Sequence, residues 1–472
     1  MTAPTAASPL VLSRRAALVR AGCGFGALAW AGLNARHAAA TIGPHLPLRA
    51  KRMIFLFMAG GVSQVDSFDP KPRLTTDDGK QMPFADLRSL AKTGKSPPQR
   101  VMKPLWEFSR RGESGLWVSD LFPAMAGIAD DLCVIRSLHT EGIAHGPATL
   151  FLHCGATAAV RPSLGAWLDY GLGTENDDLP GFVSLSPSLG NGGPRNLGTA
   201  FLPPIHQGTA IGRAGLPARE SGIRNLAPPR GGPLAAAGRD LLAGISAAQA
   251  AERPGDAELE AVIAAGELAA RMESAAPRVL DLAGETAETL SLYGIDGGPA
   301  DNFGRQCLLA RRLCEAGVRF VQVNYTDNSN NPAWDQHSDM PKHAVHARAT
   351  DQPAAALVRD LKRRGLLDDT IVWWGSEFGR TPYAQENGTG RDHNPAGFTV
   401  WLAGGGFRAG HAHGATDDYG HHAVVDRMHM HDLHATLLAA LGLDHTRLTF
   451  RHAGRDHRLT DVAGRIEDRL FA

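Results

Sequence analysis

Net charge is the first thing this chain lacks: 48 lysines and arginines balance 48 aspartates and glutamates. That balance removes any global electrostatic pull toward nucleic acid or an anionic membrane and leaves only local pockets of charge. Cysteine is scarce, with five in 472 residues, and no pair has the spacing of a zinc finger. Cys307 and Cys314 fall on one helical pattern about 10 Å apart along its axis, too far for a disulfide, so buried free thiols are expected. Long apolar runs are also missing. The most apolar stretch of the N-terminus, Ala21 to Leu33, is glycine-rich and too short to make a stable membrane span.

That stretch has another use. Ser13-Arg14-Arg15 precedes it and Ala38-Ala39-Ala40 follows it, the layout of a twin-arginine export signal over 1–40 with the mature chain at 41–472. The expected destination is the periplasm or the exterior, and the expected partner is the twin-arginine export machinery. Arg20 stands where a lipoprotein signal at Cys23 needs an aliphatic residue, so lipidation is not expected.

The mature chain, drawn from a sequence that is 43% hydrophobic, can bury a large core. Met53-Ile54-Phe55-Leu56-Phe57-Met58 is a continuous apolar run ending at Gly60-Gly61, as a central parallel strand does. Further strands are expected at Cys133–Leu138, Gly181–Leu185, Val318–Val323, Thr370–Trp374 and Thr399–Ala403. Helices are expected from Pro147 to Gly155, from Gln306 to Ala316 and from about Pro353 to Arg364, and His431 to Leu443 reads as a closing helix. This alternation predicts an α/β domain with a largely parallel sheet and helices on both faces. Leu234 to Leu292, rich in Ala, Glu, Leu and Arg, reads as a helical insertion with Leu259, Val262, Ile263 and Leu268 on one face. The Gly- and Pro-dense stretch 187–232 reads as irregular.

Chemistry-bearing residues gather just beyond these strands, where an α/β sheet places its ligands. Asp66 follows the first strand, Asp335 and His337 follow the strand at 318–323, Glu377 and Arg380 follow Trp374, and Asp392-His393 lies on a glycine-flanked loop. Carboxylates and imidazoles together suit zinc, manganese or iron better than calcium, which prefers oxygen throughout. Each piece alone also fits a surface loop, and Glu377 with Arg380 also fits a structural ion pair.

In combination the pieces carry a resemblance. GGVSQVDSFDPKP (60–72), HGPATLFLHCG (145–155), LLARRLCEAGVRFVQV (308–323), WDQH (334–337), GSEFGRTP (375–382) and GRDHNP (390–395) resemble the exported bacterial proteins of domain-of-unknown-function family 1501, in the alkaline phosphatase and sulfatase superfamily. The resemblance implies an alkaline-phosphatase-like core. It also implies a divalent metal, zinc or manganese, on Asp66, Asp335, His337, Glu377 and His393, and hydrolysis of a small anionic phosphate or sulfate ester. Two departures stand out: Glu377-Phe378 replaces the usual strand-end Asp-His, and His145 stands where a nucleophile is expected. His145 is left with three roles, ligand, base or nucleophile; Thr140 offers a hydroxyl nearby, and Arg380 is available to an anionic oxygen. The rival expectation is an envelope protein that kept the fold, and a structural metal, but not turnover.

Overall fold

The computed structural model describes residues 43–83, 99–224, 226, 233–385 and 388–472, with the side chains of 233–236 and 257 left out. The expected export signal therefore lies outside the described residues. Residues 43–472 make up one compact unit.

The unit is built on a nine-stranded sheet. Its strands used below are β1 (Arg52–Met58), β2 (Leu132–His139), β3 (Phe182–Leu185), β4 (Thr209–Ile211), β5 (Phe320–Tyr325), β6 (Thr370–Gly375) and β7 (Phe398–Ala403). They run in the order β2-β7-β6-β1-β5-β3-β4, with short strands at His411–His413 and Met428–His429 paired beside β2. All the pairings are parallel except those of β7, which runs antiparallel to both β2 and β6. The fold is therefore α/β with a largely parallel sheet.

Side-chain alternation along the strands explains why both faces are covered. Ile54, Leu56 and Met58 of β1, with Val372 and Trp374 of β6, join one apolar cluster. Met53, Phe55 and Phe57, with Ile371 and Trp373, join the other. Helices α1 (His145–Cys154) and α5 (Met430–Ala440) pack on the second face, while α3 (Asp301–Glu315) and α4 (His343–Arg363) pack on the first; α2 (Ala257–Leu280) lies in the helical region before α3. A strand buried on both sides has no room for a polar alternate, which is why β1 and β6 read as unbroken apolar runs. The Trp373 ring stacks on Phe55 with centroids 3.7 Å apart.

Three expectations change. Helix α4 begins at His343, ten residues before Pro353, which sits inside it. Proline removes one backbone hydrogen bond from a helix interior, but burial of Ala347, Ala354, Leu357 and Leu361 offsets that loss. Within 187–232 the structure adds β4 at the sheet edge, in parallel register with β3. In α2 the buried positions are Ala261, Met272, Ala275 and Ala276, whereas Val262 is exposed. The four described cysteines are buried and free. No described helix is long and apolar enough to cross a membrane.

A candidate metal centre

Asp335 is the hub. It lies in the loop after β5, fixed on one side by Trp334, which is fully buried and donates its backbone N–H to Ala59 O at 3.1 Å. Gly60 makes this approach possible. At φ +118° it adopts a conformation that side-chain-bearing residues rarely take, and a Cβ there would meet the Asp335 backbone nitrogen at 2.6 Å. The Asp335 carboxylate accepts from Arg380 Nη2 at 2.7 Å. Its Oδ1 also lies 2.9 Å from His337 Nε2 and 3.2 Å from His393 Nε2, and its Oδ2 lies 3.2 Å from His145 Nε2.

Three imidazoles thus turn Nε2 toward one carboxylate, and the other ring nitrogens show in what state. His145 Nδ1 lies 2.7 Å from Glu377 Oε1, and both Glu377 oxygens already accept from Gly60 N–H at 3.0 Å. His393 Nδ1 lies 2.6 Å from Ile143 O, and His337 Nδ1 meets Gln385 Oε1, with Asp392 Oδ1 3.7 Å away. Each of these partners is an oxygen acceptor, so each neutral ring carries its proton on Nδ1 and leaves a lone pair on Nε2. The result is a set of lone pairs facing one another: His337 Nε2 and His393 Nε2 are 2.9 Å apart. His145 Nε2 is buried without a hydrogen bond although it sits at ion-pair distance from Asp335.

Among the described residues, His145, Asp335, His337 and His393 offer ligand atoms all within 4.8 Å of one another. Lone pairs so placed repel unless a cation lies among them, and histidines tied at Nδ1 to a carboxylate or carbonyl are the usual form of metal-bound imidazole. The donor set of three nitrogens and one oxygen fits zinc or manganese.

Without an ion, protons must do that work. Burial acts to lower the His145 pKa, but the Asp335 and Glu377 carboxylates outweigh it and carry it up to about 9. Burial acts to raise Asp335, and the three histidines with Arg380 instead hold it far below the usual carboxylate range. His393, lowered mainly by burial, falls to about 4 despite Asp335.

The remaining expected site residues are elsewhere in the arrangement. Glu377 lies one residue further out, against His145 and Gly60 N–H. Asp66 stands apart from the cluster: its oxygens take Arg391 Nε at 2.8 Å, Leu105 N–H at 2.9 Å and the Ser63 hydroxyl at 2.5 Å. Arg391, fully buried, also donates to Thr381 O, Met102 O and Lys103 O. The pair anchors the strand Arg391–Asn394 that carries His393.

Arg380 needs a correction, because it is not available to a substrate oxygen. It is fully buried, and its guanidinium donates to Gly60 O, Gly61 O, Trp334 O, Arg391 O and Asp335. Its task is to hold Asp335. Thr140 donates its backbone N–H to Pro395 O, and its buried hydroxyl has no hydrogen-bond partner among the described residues. Phe378 stacks on His393 at 4.3 Å and lies 5.1 Å from His145. The Ile143 carbonyl and Gln385 leave no mark in the sequence, and Gly60, legible there only as the end of a strand, admits Asp335 here.

Solved structures with distant likeness include the PsFucS1 sulfatase from Pseudoalteromonas sp., at 13% identity and TM-score 0.35 over 89% of this chain and 71% of that one. The alkaline phosphatase from the Antarctic bacterium TAB5 matches at 10% identity and TM-score 0.28, over 76% of this chain and 92% of that one. A phosphonate monoester hydrolase from Silicibacter pomeroyi matches at 10% identity and TM-score 0.29, over 68% of each chain. No curated protein sequence matches. The family model described as a protein of unknown function, DUF1501, matches residues 50–471, and the chain belongs to that family.

Proposed function

We propose that this chain is an exported, metal-dependent hydrolase of phosphate or sulfate esters, with His145, Asp335, His337 and His393 holding one divalent ion. The observation that carries the reading is the set of three Nε2 lone pairs around Asp335, each fixed by an oxygen acceptor at Nδ1. A divalent ion bound there supplies a Lewis acid for an ester oxygen and lowers the pKa of a water. The chain's residues supply orientation. Glu377 holds the His145 proton on Nδ1, Arg380 locks Asp335, and the His337 side chain, 31% exposed against 3% for Asp335, marks the side open to solvent. Phe378 against His393 fills the place of a further histidine and supports one ion rather than two.

A second reading has its own support. Four protein ligands are the usual number for a closed structural zinc, and among the described residues no cysteine joins the four. In that reading the chain is an envelope binding or assembly protein. Turnover of 4-nitrophenyl phosphate, bis(4-nitrophenyl) phosphate and 4-nitrophenyl sulfate, with zinc or manganese and then with chelator, separates the two. The hydrolase reading expects a metal-dependent rate on at least one substrate, and a metal-loaded protein inert on all three supports the structural reading.

Export rests on Ser13-Arg14-Arg15 and Ala38-Ala39-Ala40. Replacing both arginines by lysine is expected to leave precursor in the cytoplasm. Normal amounts of mature protein outside would contradict the signal.

A further inference from the structure

We infer that the site selects esters bearing a single negative charge, sulfate monoesters or phosphodiesters, over the dianions of phosphate monoesters; this rests on the hydrolase reading above. Charges in a buried place must nearly balance. A divalent ion contributes two positive charges and Arg380 one; Asp335 and Glu377 remove two, and the three histidines are neutral in the tautomers fixed by their Nδ1 partners. These groups leave one positive charge at most, and Asp392, 3.7 Å from His337 Nδ1, lowers it further. Arg391 adds nothing, because Asp66 cancels it at 2.8 Å in a fully buried pair.

Neither arginine reaches a ligand. Both are fully buried, and their bonds go to backbone carbonyls and to Asp335 or Asp66. A second negative charge on the substrate therefore meets no donor cation from this pair. A further carboxylate stands behind His337, where Asp392 Oδ1 lies 3.7 Å from Nδ1 with its side chain 43% exposed, and its field opposes any added negative charge. In a site of reduced dielectric an uncompensated charge is costly. Release follows the same logic. Hydrolysis of a sulfate monoester consumes water and yields an alcohol, a sulfate dianion and a proton, so the product carries one negative charge more than the substrate and is held less well.

Methyl sulfate and methyl phosphate test this directly, being nearly equal in size and differing by one charge at pH 8. Calorimetric titration of each into the metal-loaded chain is expected to give at least about tenfold tighter binding of methyl sulfate. In Asp392→Asn, which keeps the Oδ1 acceptor for His393 N–H, the gap is expected to narrow about threefold because the dianion gains more. Equal or tighter binding of methyl phosphate overturns the charge inference and leaves the hydrolase reading standing, as does a gap unchanged in Asp392→Asn. Binding of neither probe, with no turnover of 4-nitrophenyl sulfate or bis(4-nitrophenyl) phosphate, overturns both.

Discussion

Glu377 lies 2.7 Å from His145 Nδ1 and reaches the centre of the site only through that ring. A carboxylate placed behind a ligating imidazole fixes its tautomer and raises its basicity. Glu377→Gln keeps the shape but removes the charge and allows the amide to turn its donor toward His145. Metal affinity, measured by competition with a chromogenic chelator, is expected to fall roughly 10- to 100-fold while the fold is retained. Unchanged affinity would mean that Glu377 serves only to bind the Gly60 N–H.

The Asp66–Arg391 pair is a structural device. Removing one partner of a fully buried ion pair strands the other and costs about 3–5 kcal/mol, whereas replacing both with apolar groups of similar volume costs far less. Asp66→Ala is therefore expected to lower the chemical-denaturation midpoint sharply, with Asp66→Leu and Arg391→Met together recovering part of the loss. The carbonyls left by Arg391 keep that recovery incomplete. Asp66→Ala as stable as wild type would contradict this role.

Asp351 gives a pH dependence away from the site. Burial raises its pKa to about 6, against the backbone N–H groups of Ala124 and Met125, which donate to it at 2.6 and 2.8 Å. A carboxyl whose folded pKa exceeds its unfolded value of 3.8 favours the fold fully below 3.8, and that contribution is lost as pH rises through 6. Its size is ~2–3 kcal/mol. Asp351→Asn cannot lose a proton, so its melting temperature is expected to gain on wild type between pH 4 and pH 7. Parallel melting curves for the two proteins over that range would contradict the shift.

The legible part of the fold was the part written in apolar runs. Strands buried on both faces, such as β1 and β6, announce themselves because no polar residue interrupts them. Helix α4 was half hidden, since Pro353 looks like a helix start and only tertiary burial makes it an interior residue. At the site, Asp335, His337 and His393 were legible as acid and imidazole pairs after strands. His145 was recognised as a chemical residue without a fixed role, which depends on Glu377 and Asp335 meeting it from two other loops. Asp66 was misleading for a physical reason. An acid beyond a strand end looks the same in sequence whether it faces an ion or, as here, Arg391 more than three hundred residues later.

The central claim is that one divalent ion sits among His145, Asp335, His337 and His393. Mass-spectrometric metal analysis of the mature chain purified from its own compartment, paired with melting curves before and after chelation, tests it most directly. The expected result is about one zinc or manganese per chain, a melting temperature several degrees lower once the ion is stripped, and loss of most of that sensitivity in Asp335→Ala with His337→Ala. A chain that carries no stoichiometric metal, or that melts identically after the ion is shown to be gone, would contradict the account.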